Sequence, residues 1–185
     1  NALVIGKAAA SELKGTYIEL DRDRGICRVV VAGKKGFQVD FVSANEGIKA
    51  DLARRDFTVD SMAINMESIH TNEGKVSFAA SNLIDPLNGR ADLNSGNLRA
   101  ASSSSLADDP ARLMRAVRLS AQYGLGLEDK TCDQIKHVAP QLKRIAPERI
   151  RDEFLKTLSL PGASESIRLM DKLGLLEQII PEINQ

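Results

Sequence analysis

The chain has 185 residues, 43% hydrophobic and 27% charged, proportions of a globular protein with a real core in one large domain or two small ones. Its 25 lysines and arginines balance 25 aspartates and glutamates, so no general basic field holds nucleic acid and any such contact has to be local. No apolar run approaches the ~20 residues that span a membrane, and the start carries no signal-peptide pattern.

The first half reads as short strands. Residues 2 to 13 are Ala-rich and predict a helix. Residues 16 to 20 alternate, Asp21-Arg22-Asp23-Arg24-Gly25 makes a turn, and 26 to 32 are Val-rich. A Gly33-Lys34-Lys35-Gly36 turn and a run over 37 to 43 come next, so the pattern predicts an antiparallel meander. Helix is expected over 46 to 53 and again after Phe57, which makes this half α+β. Residues 68 to 84 read as a further hairpin around Asn72-Glu73-Gly74-Lys75. Then comes Asp85-Pro86-Leu87-Asn88-Gly89-Arg90-Ala91-Asp92-Leu93, a loop full of turn formers. The Ser102 to Ser105 run is the expected hinge between the halves.

The second half is helical. Asp109-Pro110 starts a helix with a capping acid and an early proline, Leu113 and Val117 share its apolar face, and Gly124 stops it. Residues 130 to 138, 147 to 158 and 163 to 173 read as further helices, punctuated by Pro140, Pro147, Pro161 and Gly174. Cys27 and Cys132 belong to no Cys-x-x-Cys pair and read as reduced thiols of a cytoplasmic protein. His70 and His137 have no metal-ligand spacing.

Two clusters carry chemistry. Arg54-Arg55-Asp56 runs directly into the buried-type segment Phe57-Thr58-Val59. Arg offers phosphate a rigid fork of donors, and Asp accepts from sugar hydroxyls. The plain alternative is a helix-end charge cluster in which Asp56 caps the segment after it. Asp109 and Arg112 are three apart on a helix, roughly 60° around its axis, so both can face one planar object, with Arg115 further along that side. A carboxylate accepting from an exocyclic amino group beside a guanidinium donating to a ring acceptor matches adenine and cytosine. Guanine and uracil place a carbonyl oxygen where the amino group is needed, a mismatch costing a factor of about 10⁴. Here the alternative is that Asp109 is only an N-cap and Arg112 a surface residue.

Arg54-Arg55-Asp56-Phe57-Thr58 resembles the Arg-Arg-Asp-Phe-Thr motif of class II tRNA nucleotidyltransferases and bacterial poly(A) polymerases. The resemblance continues in order along the chain. Asp85-Pro86…Gly89…Asp92-Leu93 is similar to the loop motif of that family, with Asn88 where a second glycine is common. Asp108-Asp109-Pro110-Ala111-Arg112…Arg115 resembles the Glu-Asp-Pro-x-Arg-x-x-Arg neck motif, with Asp108 replacing Glu, and Pro147-Glu148-Arg149-Ile150…Glu153 the next neck motif. Asp60 stands where the family usually has Asn.

The resemblance implies a partial, polymerase-β-like nucleotidyltransferase head with a mainly antiparallel sheet over residues 1–100, then an all-α neck over 101–185. It implies that Arg54, Arg55 and Asp56 contact the nucleotide's sugar and phosphates, that Asp109 and Arg112 read the base, and that Arg115 touches phosphate. It also implies addition of C and/or A to the 3′ end of tRNA or another RNA from CTP and ATP, with Mg²⁺. The family's Asp-x-Asp metal motif would end just before residue 1. Asp21-Arg22-Asp23 has its bare spacing but reads as a turn. Asp40 stands where related enzymes place a third acidic residue. Without the metal motif, the chain is expected to be an excised, inactive piece of a longer enzyme. The alternative is a non-catalytic nucleotide- or RNA-binding module that retains the pocket only.

Overall fold

A computed structural model describes residues 1–33 and 36–184, which leaves the centre of the expected Gly33–Gly36 turn outside the described residues. The chain forms two compact units, Asn1–Gly47 and Ile48–Gln185.

In the first unit a helix, α1 (Ala2–Glu12), packs on an antiparallel sheet of β1 (Thr16–Asp21), β2 (Ile26–Val31) and β3 (Phe37–Val42), in that order. The Asn1 side chain accepts from the Leu3 amide and starts α1. Register places Cys27 opposite Phe41, and Val29 between Tyr17 and Val39. Cys27 and Val29 are fully buried there. The helix comes close because residue 6 has no side chain: a Cβ on Gly6 would sit 2.3 Å from Cys27 Sγ. On the other face, exposed Ile18 and Val42 flank Arg28 and Asp40, which pair in register.

The second unit begins with α2 (Ile48–Ala53). The helix expected after Phe57 is a single 3-10 turn, Thr58–Asp60, followed by β4 (Ala63–Ile64). Phe57 is fully buried and pairs with Ala100; the Thr58 amide donates to Arg99 O at 2.9 Å and the Ala101 amide to Asp56 O at 2.9 Å. Those long-range bonds hold the backbone extended where it would otherwise coil. The expected hairpin is real but shorter: β5 (His70–Asn72) pairs with β6 (Lys75–Ser77) around Glu73 (φ 48°) and Gly74 (φ 76°). Beyond it, β7 (Leu83–Ile84) pairs back to β4.

Next come α3 (Gly89–Asn94), β8 (Asn97–Leu98) and α4 (Ser105–Asp108). The Ser102–Ser105 run lies within this unit, and buried Ser105 donates its hydroxyl to Asp56 O. α5 (Ala111–Tyr123) ends on Gly124 in the left-handed conformation, as its sequence predicts. β9 (Gly126–Leu127) runs parallel to β8, and then α6 (Asp129–Val138), α7 (Pro147–Leu158), α8 (Ala163–Lys172) and α9 (Leu176–Ile179) complete the helical part. α7 and α8 pack on α5. Leu113, Met114, Val117, Ile135, Met170 and Phe57 share one core. Antiparallel strands followed by helices give the expected α+β architecture, and among the described residues no helix is long and apolar enough to cross a membrane.

Candidate nucleotide site

A cavity of about 470 Å³ in the second unit is lined by Arg55, Asp56, Asp109, Arg112 and Arg115, with Arg149, Asp152, Glu153 and Lys156 of α7. Five of the six expected nucleotide contacts therefore meet in one place. Arg54 does not line the cavity, but its carbonyl does structural work there.

The backbone pairing of residues 56–58 with 99–101 aims the Asp56 carboxylate at α5, where its Oδ2 lies 2.6 Å from Arg115 Nε. Arg55, just past the end of α2, is held by Asp51 of that helix, at 2.9 Å. Arg112 is fixed by two main-chain oxygens: Nη1 donates to Ser105 O at 2.8 Å and Nη2 to Arg54 O at 3.2 Å. Those partners are neutral, so the guanidinium keeps its full positive charge and three of its five donors.

Asp109 Oδ1 accepts from the Ala111 amide at 3.3 Å, the expected capping bond, and Oδ2 from Arg149 at 2.8 Å. Burial pushes this carboxyl up, but the bond and charge of Arg149, the Ala111 amide and Arg112 outweigh it, and Asp109 ends below the usual carboxylate range. Each oxygen keeps a lone pair for another donor. Glu153 shows the same balance: burial raises it, and Arg118, 2.5 Å away, with Lys156, 3.3 Å away, pulls it down. Arg118 and Glu153 thereby tie α5 to α7 beneath the cavity.

The loop residues Asp85, Gly89 and Asp92 line no part of the cavity; they brace it from behind. Asp85 accepts from the Gly89 amide at 2.7 Å and the Arg90 amide at 2.9 Å, capping α3. A Cβ on Gly89 would lie 2.0 Å from Thr58 O, so the loop reaches the turn after Asp56 only through glycine. Asp92 accepts from Thr58 Oγ1 at 2.6 Å and Arg99 Nε at 3.0 Å.

In the first unit, Asp40 gives both oxygens to Arg28, at 2.6 and 2.8 Å, and this pairing holds its carboxyl below the usual range against its partial burial. Among the described residues no three His, Cys, Asp or Glu side chains are grouped to hold a metal ion. Asp40 in this pairing does not fit a metal ligand.

Sequence reasoning gave no role to Arg149, Asp152, Glu153 or Lys156. Arg149 and Glu153 stood in the second neck motif without a role; the signal for the group was helical spacing, since Arg149, Glu153 and Lys156 are four and three apart on α7, one polar stripe beside Ile150 and Phe154, which pack on the core.

Residues 24–99 match the family model of the poly(A) polymerase head domain, and residues 124–185 that of the probable RNA- and SrmB-binding site of polymerase A. Over 91% of its length the chain is 38% identical to a CC-adding tRNA nucleotidyltransferase of Geobacter sulfurreducens, spanning 36% of that protein. Over 97% it is 36% identical to an A-adding tRNA nucleotidyltransferase of Deinococcus radiodurans, spanning 39%. Among solved structures, the Thermotoga maritima CCA-adding enzyme complexed with tRNA superposes with a TM-score of 0.79 at 30% identity, covering 98% of this chain and 42% of that one. A CCA-adding enzyme complexed with ATP superposes at 0.77 and 28% identity, covering 98% and 43%.

Proposed function

Because the chain belongs to the family of tRNA nucleotidyltransferases and bacterial poly(A) polymerases, with the polymerase-β-like head fold of that family, we propose that the complete protein adds C and/or A residues to RNA 3′ ends, tRNA foremost. CTP and ATP are its substrates and the cytoplasm its compartment. One observation carries the reading for this chain: Arg55 and Asp56 share a cavity with Asp109, Arg112 and Arg115, although more than fifty residues separate the two groups.

In that cavity Arg55 and Arg115 bind phosphate and Asp56 the sugar. Arg54 belongs to the same triplet and contributes through its carbonyl, which orients Arg112. Asp109 and Arg112 take the pairing edge of the base, Asp109 accepting the amino group and Arg112 donating to the ring. The main-chain oxygens on Arg112 and the Arg149 guanidinium on Asp109 fix both readers before the nucleotide arrives, which spares the entropy of ordering them. The division into a head over 1–100 and a neck over 101–185 belongs to the same proposal, with the cavity at its border.

Magnesium belongs to the proposal for the complete protein only, since Asp40 of this chain is spent on Arg28. That engagement also favours a second reading, a nucleotide- or RNA-binding module without turnover.

Calorimetry on the 185-residue chain separates the readings from a merely solvated charge cluster: ATP and CTP bind and GTP and UTP do not. Equal affinity for all four overturns base reading by Asp109 and Arg112. Incubated with Mg²⁺, ATP, CTP and a tRNA lacking its terminal CCA, this chain gives no extension, and robust extension overturns the expectation that its metal carboxylates are missing. The same assay at the full length of its relatives decides enzyme against binding module.

A further inference from the structure

Asp60 stands where the family usually has Asn, and the structure puts it against two charged side chains. Arg115 bridges two acids: its Nε lies 2.6 Å from Asp56 Oδ2 and its Nη2 lies 3.5 Å from Asp60 Oδ2. One guanidinium thus faces two carboxylates. Asp60 Oδ2 is sealed from solvent and, among the described residues, receives no hydrogen bond from a donor. An ionised oxygen left like that is costly, whereas a protonated one becomes a donor. Of the charged groups acting on Asp60 among the described residues, Asp56 is the one that can accept.

We propose that Asp56 and Asp60 share one proton, and that Asp60 is a positioning residue whose O–H holds the Asp56 carboxylate as an amide N–H would, so that Arg115 faces one negative charge rather than two when it meets phosphate. The proposal rests on the nucleotide reading of the cavity. Carboxyl and carboxamide have the same shape, so a protonated Asp reproduces what Asn offers at this place. The difference is that Asp can lose the proton. When it does, a second negative charge appears beside Arg115, tightens the bridge the guanidinium already makes between the two acids, and repels the triphosphate.

The surroundings support this. Burial is the main influence raising the Asp60 carboxyl above its usual range; Asp56 adds to it, and Arg115 opposes without cancelling. The other element packed on the Thr58–Asp60 turn is α3, whose Asp92 is already bonded to Thr58 and Arg99 and so adds no free carboxylate.

The test is ¹³C NMR of the aspartate carboxyls across pH in the 185-residue chain, with ATP and CTP affinity measured over the same range. Asp60 titrates above the ordinary aspartate range, and D56N brings it back down. Nucleotide affinity falls about five- to tenfold as the shared proton leaves, an effect of one nearby charge in a partly screened site. In D60N that dependence disappears; titration of the nucleotide's own phosphate is common to both proteins and cancels in the comparison. An ordinary midpoint for Asp60, or one that D56N leaves unmoved, overturns the shared proton. The raised Asp60 midpoint with the pH dependence of binding intact in D60N overturns the positioning role. Absence of nucleotide binding at every pH sinks the nucleotide reading and the positioning role with it, while the carboxyl titration still decides the shared proton by itself.

Discussion

In the proposed site, the Asp109 side chain would serve structure and recognition together. It caps α5 through Ala111 and is clamped by Arg149. Removing the clamp with R149A should cost under about 1 kcal/mol of stability, since Arg149 is 54% exposed and solvent screens the pair. If Asp109 reads the base as proposed, the same change should weaken ATP and CTP binding about tenfold by freeing its carboxylate, as calorimetry would record. Because the folded state holds Asp109 below the usual carboxylate range, its stabilisation is present above that range and is lost as pH falls through the lowered value. In R149A the acid limb of a thermal-stability profile should therefore flatten. From sequence, Arg112 and Arg115 were legible because three-residue spacing on a helix fixes a shared side; Asp109 stands extended just before α5 and joins them through its bond to the Ala111 amide rather than through helical spacing. Arg149 was legible only as part of the second neck motif and not as the partner of Asp109, because nothing local in a chain says that a residue forty positions on will return to the same carboxylate.

At the level of elements, the two closest approaches both run through glycine. G89A drives a Cβ onto the Thr58 carbonyl, a main-chain atom that cannot swing aside, and should cost about 3 kcal/mol or more in urea denaturation. G6A meets Cys27 Sγ instead. It should destabilise by about 1–3 kcal/mol, and G6A/C27A should recover part of that, giving a non-additive cycle. Between α5 and α7, R118A strands a half-buried Glu153 with Lys156 as its remaining cation, which should cost about 2–3 kcal/mol by the same measurement. Helices with caps and stops were readable from the sequence, as Gly124 and Pro147 show. The segment after Phe57 was not, because its Thr-Val-Asp-Ser run is weakly disposed either way and the decision came from bonds to residues 99–101, far along the chain.

For the whole molecule, the contrast between the two compact units carries the clearest expectation. Among its described residues the first unit buries few apolar side chains, chiefly Cys27 and Val29 with two alanines, and leaves Ile18 and Val42 exposed. The second unit has the continuous core around Met114 and Met170. Native-state hydrogen exchange should show β1–β3 opening at lower free energy than α5, and equal protection would contradict it. The antiparallel order of the strands was visible in the alternation of residues 16 to 42, whereas the unit boundary at Gly47 was not, because compactness depends on which surfaces end up covered. The hold on Arg112 has a consequence for how such a site changes over generations. Its two anchors are main-chain oxygens of residues 54 and 105, which every amino acid supplies. Substitutions at those positions cannot unhook it by changing a side chain, so the anchorage outlasts drift at both positions, whereas replacing the guanidinium by lysine removes the fork that reaches both oxygens at once.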